Sequence, residues 1–554
     1  MNVTNNLKLP QYTEEDIFDL QDINKSYDSI DKAYKEVIDF KNEIPKTNAT
    51  AEVIDARGGK ETLGERLNEF DEQLDNIVHL KPNGIDDTEN IRSMLQKYKR
   101  LKLIDGVFNI KNIELPSNAE ITASENVTIN LIGEDGQPCL YSINKENIKI
   151  SNLNFNGNMK DLYGLGVISI FNSNNCVIEN NKFNNVYNII GGGSSAIDIE
   201  GSNNCTIKGN YITNSGYGIT LGSRVTADVK LIGNQHVSIN KHCDNNIIEQ
   251  NYIHTTTMDC IFLSASLNTS TQDCEINNNI IRYNYVEGSG DLGIESSRSS
   301  NNCIIEGNTV IGSKGANIFV RGGDNNIVKN NISSKAKGVT GSYYSGGIAV
   351  SEDFGTITSC IIKNNECFNN TGEGVVVGIV SDKAIKISNN KCYNNDVGLY
   401  LGTNAKGCRV LYNEIYNNNK GIDISYGTSN VAGHVVKFNS IYDNSNVGIV
   451  VNGESNNIQF NDVAGNGIGV SSDTGTTCNF NVIKNNDLTG NTTNLQLNEN
   501  GTRNIYVNND GVTDEPKILL SNKGKGYINE VYIDSSTNQL CWNKDGSIKK
   551  VQLV

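Results

Sequence analysis

The chain has 554 residues, and 47 Lys+Arg against 63 Asp+Glu leave a formal net charge of −16 at pH 7. So acidic a balance disfavours a nucleic-acid partner held through phosphate contacts, and an anionic membrane surface equally. With 53 glycines, 6 prolines, 37% hydrophobic residues and no apolar run long enough for a bilayer, collagen and a membrane-spanning helix are excluded and a helix bundle is disfavoured.

The amino terminus lacks a basic stretch followed by an apolar one, so synthesis in a cytoplasm without a cleaved export signal is expected. Between residues 17 and 44, Leu20, Tyr27 and Tyr34 recur at sevens, as do Ile23, Ile30, Val37 and Ile44, until Pro45 ends the pattern. Two such registers make a heptad seam, and with no adjacent core to cover, the seam predicts association between chains. A second amphipathic pattern (Leu63, Leu67, Phe70, Leu74, Ile77) opens with Thr62 and Glu65 in capping-box spacing, which predicts another helix.

From Asn181 onward the chain repeats itself. Twelve marker asparagines, Asn181, Asn210, Asn251, Asn284, Asn308, Asn331, Asn365, Asn390, Asn413, Asn439, Asn461 and Asn486, recur at about the length of one solenoid coil, roughly 28 residues. Between them lie runs of period-two alternation rich in β-branched residues, such as Ala196–Glu200 and Gly421–Ser425, which read as strands. Several short strands per step and no helical period predict an all-β, right-handed parallel β-helix of about twelve coils. A propeller is the alternative, but its blades are longer and carry aromatic signatures missing here. The asparagines are expected to stack as a structural amide ladder.

Thirteen cysteines suggest a disulfide scaffold, but the count is odd and the setting is wrong for one. Cys176, Cys205 and Cys303 each follow an Asn-Asn pair, and Ile247 and Ile327 fill what reads as the same slot. A slot that exchanges Cys with Ile predicts buried, reduced, structural thiols. No spacing typical of a zinc site is present, so no metal is expected.

Two segments before the repeats carry a family resemblance. EVIDARGGKETLGERLNEFDEQL at 52–74 resembles an adaptor motif near the amino ends of tail-fibre and baseplate proteins of phages that infect Gram-positive bacteria. NGIDDTENIRSMLQKYKRLKLIDGVFNIKNIELPSNAEITAS at 83–124 resembles the segment that opens the β-helix of the pectate-lyase-like superfamily, as found in phage tailspikes. This resemblance implies a short capping helix at about Thr88 to Lys97, a homotrimer, virion tail or baseplate proteins as partners, and a host cell-surface polysaccharide as ligand. The resulting division is a coiled coil at 1–48, an adaptor at 49–82, the first coil with its cap at 83–125, the β-helix at 126–500 and a small β-domain at 501–554.

Registering the strands by their inward apolar pairs leaves an outward column: Asp198, Thr220, Phe262, Glu295, Phe319, Ala349, Val376, Tyr400, Asp423 and Val450. Glu200, Arg321 and Glu352 lie beside it, Asp259 and Asp291 precede their strands, and Arg298 follows Glu295 by three. Long insertions in this zone supply His236 and the pair Tyr343 and Tyr344, suited to stacking against sugar rings. The expected catalytic group is Asp259, Asp291, Glu295, Arg298 and Arg321, with Asp198, Glu200, Tyr343, Tyr344, Glu352 and His236 binding substrate. A glycosidase would use two carboxyls about 5 Å apart, as expected for Asp259 and Asp291, or roughly 6.5–9.5 Å apart, as expected for either with Glu295. A lyase would instead need a base with an arginine or calcium offsetting uronate charge. A fibre that binds without cleaving is the rival reading.

Overall fold

The computed structural model describes residues 77–512, apart from 187–192, 224–229, 233–234, 266–273, 339–343, 353, 381–384, 426–432, 473–477 and 498–503. Outside that range it describes the backbone of strands near each end. The chain forms two units, Met1–Ile77 and Val78–Val554. In the first, Asn2–Val3 pairs antiparallel with Pro10–Gln11. The predicted coiled coil at 17–44 and the adaptor at 52–74 lie outside the described residues.

The second unit is a parallel β-solenoid in which each coil contributes one short strand to each of three sheets. One coil runs through Thr206–Lys208, Tyr211–Ser215 and Tyr217–Ser223. Among the described residues the second sheet has fourteen strands and the third has fifteen, from Ile113–Glu114 to Thr493–Gln496. The expected number of twelve coils is therefore too low; there are about fifteen. The shortfall has a local cause. Early coils lack the marker asparagine, and Leu153 fills its slot, donating its N–H to Asn181 Oδ1 at 3.0 Å. At roughly 4.8 Å per coil the solenoid is about 70 Å long. Parallel pairing from coil to coil rules out the propeller, whose blades are antiparallel meanders.

The repeat dictates the core. Ile207, Ile248, Ile281, Ile305 and Val328 occupy successive coils of the first sheet in one register, each no more than 1% exposed. Each contributes about 1.5–3 kcal/mol by leaving water. The polar counterpart is the ladder, in which every amide is saturated. Asn308 Nδ2 donates to Ile281 O at 2.9 Å and to Asn331 Oδ1 at 3.0 Å, while its Oδ1 accepts the backbone N–H and Nδ2 of Asn284. The ladder gains a thirteenth member, Asn509, bonded through its Oδ1 to Asn486 Nδ2 at 2.9 Å. A second ladder, from Asn370 through Asn395, Asn418, Asn444 and Asn466 to Asn491, stitches the next corner.

All twelve cysteines with described side chains are free and buried. Their slot, however, differs from the expectation by one residue. Val177, Thr206, Ile247 and Ile280 share a register, so Cys176 and Cys205 align with Asn246 and Asn279 rather than with Ile247. The slot takes small residues that can also satisfy a backbone donor: the Cys205 N–H is accepted by Asn246 Oδ1 at 2.8 Å, and the Cys408 N–H by His434 Nδ1 at 3.2 Å.

A helix, α1 (Thr88–Tyr98), lies against the first strands and turns Ile91 and Leu95, both fully buried, into the solenoid's core. It extends one residue past the expected Thr88–Lys97. Asp87 beneath it accepts the backbone N–H groups of Asn83 at 2.6 Å and Asn109 at 3.0 Å, tying the cap to the first coil. At the other end, Ile505–Val507 pairs antiparallel with Lys517–Ser521, which begins a meander through Ile528–Asp534, Gln539–Lys544 and Ser547–Val551.

Candidate active site

The outward column follows from strand pairing. Asp198, Thr220, Phe262, Glu295, Phe319, Ala349, Val376, Tyr400, Asp423 and Val450 are direct partners from coil to coil. Alternation explains the orientation: in Ile294–Ser297 the fully buried Ile294 faces the core, so Glu295 faces out. The middle of the column is nevertheless roofed. Phe319, Ala349 and Val376 are fully buried with Leu292 and Ala316, and Tyr344 and Tyr400 pack against them.

At the edge of this roof, three carboxyls, an arginine and a tyrosine converge. Asp259 sits opposite Leu292, whose N–H it accepts at 2.9 Å. Its own side chain is hydrogen-bonded to Glu295 on the next coil. Asp259 is 3% exposed, and burial, then the charges of Glu295 and Asp291, hold its carboxyl protonated far above the usual range. It therefore donates to Glu295. Burial also raises Glu295, and the charge of Arg321, whose Nη1 lies 3.3 Å from Glu295 Oε1, limits that rise without reversing it. The expectation of a water-sized gap between Asp259 and Glu295 is not met, since the two carboxyls touch.

Asp291 is the half-buried member. Its carboxyl is raised by burial and held back by the Tyr344 hydroxyl, which donates to Oδ2 at 3.2 Å, and by Arg321 and Lys314. The Arg321 guanidinium stacks on Phe354, 3.7 Å from the ring centroid, with Tyr344 at 5.0 Å and Phe319 at 5.2 Å. Asp259, Asp291, Glu295, Arg321 and Tyr344 thus form one cluster.

The other expected residues lie elsewhere. Arg298 stands at the corner after its strand, where its Nη1 reaches Ala265 O at 3.5 Å. Asp198 and Glu200 are fully buried several coils away, where Thr220 donates to Asp198 Oδ1 at 2.6 Å. His236 is exposed on the hairpin formed by Lys230–Ile232 and Gln235–Val237, and nothing among the described residues ties it to the cluster. Glu352 accepts the Ile357 N–H at 3.0 Å, shaping the loop that carries Phe354. Tyr343 lies outside the described residues.

Two contributors escape a reading of the sequence. Phe354 is a large aromatic in a polar loop, 42% exposed, and that mismatch is the one signal it gives. Glu373, fully buried two coils beyond Arg321, accepts the Ser345 hydroxyl at 2.5 Å and the Gly347 N–H at 2.8 Å, pinning the segment that carries Tyr344. Among the described residues no group of three or more His, Cys, Asp or Glu side chains is arranged to hold a metal ion, and no helix is long and apolar enough to cross a membrane.

These features are those of a parallel β-helix with a cluster of ionisable side chains on one outer face. The profile described as "right handed beta helix region" matches residues 138–332, 277–410 and 333–486. The chain belongs to the right-handed β-helix family. No curated protein sequence matches it. Among solved structures it is similar to a mutant tailspike protein of E. coli bacteriophage HK620, at 12% identity and a TM-score of 0.49, covering 85% of each chain. Tailspike protein 3 of bacteriophage CBA120 matches at 15% identity and a TM-score of 0.43, covering 87% of this chain and 70% of that one. An alpha-1,3-glucanase from Streptomyces thermodiastaticus matches at 14% identity and a TM-score of 0.40, covering 77% and 68%.

Proposed function

We propose that the protein is a phage tail-spike depolymerase that binds and hydrolyses a host surface polysaccharide. The observation that carries this reading is the divergence of three neighbouring carboxyls. Burial raises all three: Asp259 far enough to retain a proton, Glu295 against the opposing charge of Arg321, and Asp291, half accessible, where it is placed to meet a ligand. Carboxyls pushed apart in this way supply the acid and the base that glycosidic hydrolysis requires. In this assignment Asp291 protonates the leaving oxygen and Glu295 acts as base or nucleophile. Asp259 acts through Glu295 as a positioning residue, and Tyr344 orients Asp291. The virion setting, and assembly as a homotrimer, rest on the resemblances at 52–74 and 83–124.

One observation favours a second reading. Glu295 is 4% exposed, and a fibre that only grips its glycan would need no better access. Purified protein incubated with polysaccharide from candidate hosts, followed for new reducing ends and for the ultraviolet absorbance of unsaturated sugars, separates the cases. Reducing ends alone support hydrolysis, both signals together replace it with β-elimination, and neither signal on a polymer that binds leaves the fibre.

A further inference from the structure

We propose that Arg298, with Phe354, forms a subsite for an anionic substituent on a sugar of the bound polymer, so that the polymer is acidic. This deepens the depolymerase reading and rests on it.

Strand pairing places the residue. The corner after each third-sheet strand holds Asn144, Asn172, Gly201, Ser223, Ala265, Arg298 and Gly322 on successive coils, one residue beyond or at the end of the paired strands. Asn144, Asn172 and Gly201 adopt positive φ there, the region that Asn and Gly tolerate best. Arg298 adopts it too, at φ 61, as Gln250, Tyr283, Tyr412 and Phe438 do at the corner before the second sheet. Gly322 makes this possible, because a Cβ on it would lie 2.7 Å from Arg298 O. Ser223 and Ala265 hold the same corner, so its geometry does not call for an arginine.

Its surroundings point to a ligand. Among the described residues no carboxylate pairs with Arg298, although Arg321 nearby is paired with Glu295. In a chain of net charge −16, a partly buried guanidinium without a carboxylate is the exception. Beside it stands Phe354, with the guanidinium carbon 5.8 Å from the ring centroid. The exposed part of that ring offers an apolar surface to a sugar, and the fork of N–H donors matches a carboxylate or sulfate.

The test uses the full-length protein and follows the Arg298 Nε–H resonance, identified by its loss in Arg298→Lys, during addition of D-glucuronate, a sulfated glucose or D-glucose. The expected result is a saturable shift with a charged sugar and none with glucose, and the carboxylate and sulfate arms tell the two anions apart. Binding of the active sugar should weaken about tenfold in Arg298→Gln, with circular dichroism unchanged. Equal responses to glucose and both charged sugars, or undiminished binding in Arg298→Gln, would overturn the proposal. If the protein cleaves a neutral polymer and ignores charged sugars, the subsite alone is wrong. A response at Arg298 without cleavage of any bound polymer sinks the depolymerase reading alone.

Discussion

Tyr344 donates its hydroxyl to Asp291 across 53 positions of chain, and the same ring packs edge-on against Phe319, 5.5 Å between centroids. One side chain therefore both roofs the apolar part of the third sheet and touches its most accessible acid. The hydrogen bond favours ionised Asp291, so Tyr344→Phe should raise the Asp291 pKa further. Because the assigned role needs the protonated form, the alkaline limb of the pH–rate profile moves to higher pH. An unmoved limb removes Asp291 from the acid role.

Glu295→Gln keeps the shape of the buried side chain while removing its basicity. Cleavage should fall by about 10²–10⁴-fold, with polysaccharide affinity within a few fold of the parent. Rates from reducing-end release and affinities from titration calorimetry check this. Equal losses in both would mean that Glu295 binds and does not catalyse.

The ladder makes a sharper claim about stability. Asn308→Asp is isosteric, yet it sets acceptor against acceptor at Ile281 O and Asn331 Oδ1 and brings an ionisable group to a fully buried position. The expected loss is about 3 kcal/mol or more, read as a lower urea midpoint at neutral pH.

His434 predicts an acid sensitivity. It is fully buried, its Nε2 has no partner, and burial lowers its pKa from 6.5 to about 3. The unfolded chain takes up a proton below the first value while the folded chain stays neutral. Stability is thus complete above pH 6.5 and declines as pH falls toward 3, by up to about 1.4 kcal/mol per unit. His434→Asn, matching Asn456 in the next coil, should flatten that slope in urea melts at pH 7 and pH 5 (about one and a half units below the unfolded pKa).

How much of this was legible depends on how local each signal is. Period-two alternation is local, so the outward column from Asp198 to Val450 was readable, and so was the ladder, because each coil repeats its asparagine. The coil number was not, since Leu153 replaces the marker before Asn181. The cysteine slot slipped because an Asn-Asn pair precedes it and either asparagine can be taken as the reference. The bond between Asp259 and Glu295 depends on Asp259 standing opposite Leu292, a relation between coils that spacing along one coil does not encode. Phe354 acts from a loop whose course no periodicity describes.

The ladder tolerates very unequal chain lengths between its rungs: Asn439 and Asn461 are 22 residues apart, Asn210 and Asn251 are 41, and the bonds are alike at 2.9 Å. Pitch is set at the rungs, so the intervening excursions are free to lengthen, shorten or be exchanged without retuning the spool. Such a scaffold can change what it grips by swapping one bight of chain at a time, and transplanting the residues between two rungs onto another member of the family is the natural unit for re-targeting it.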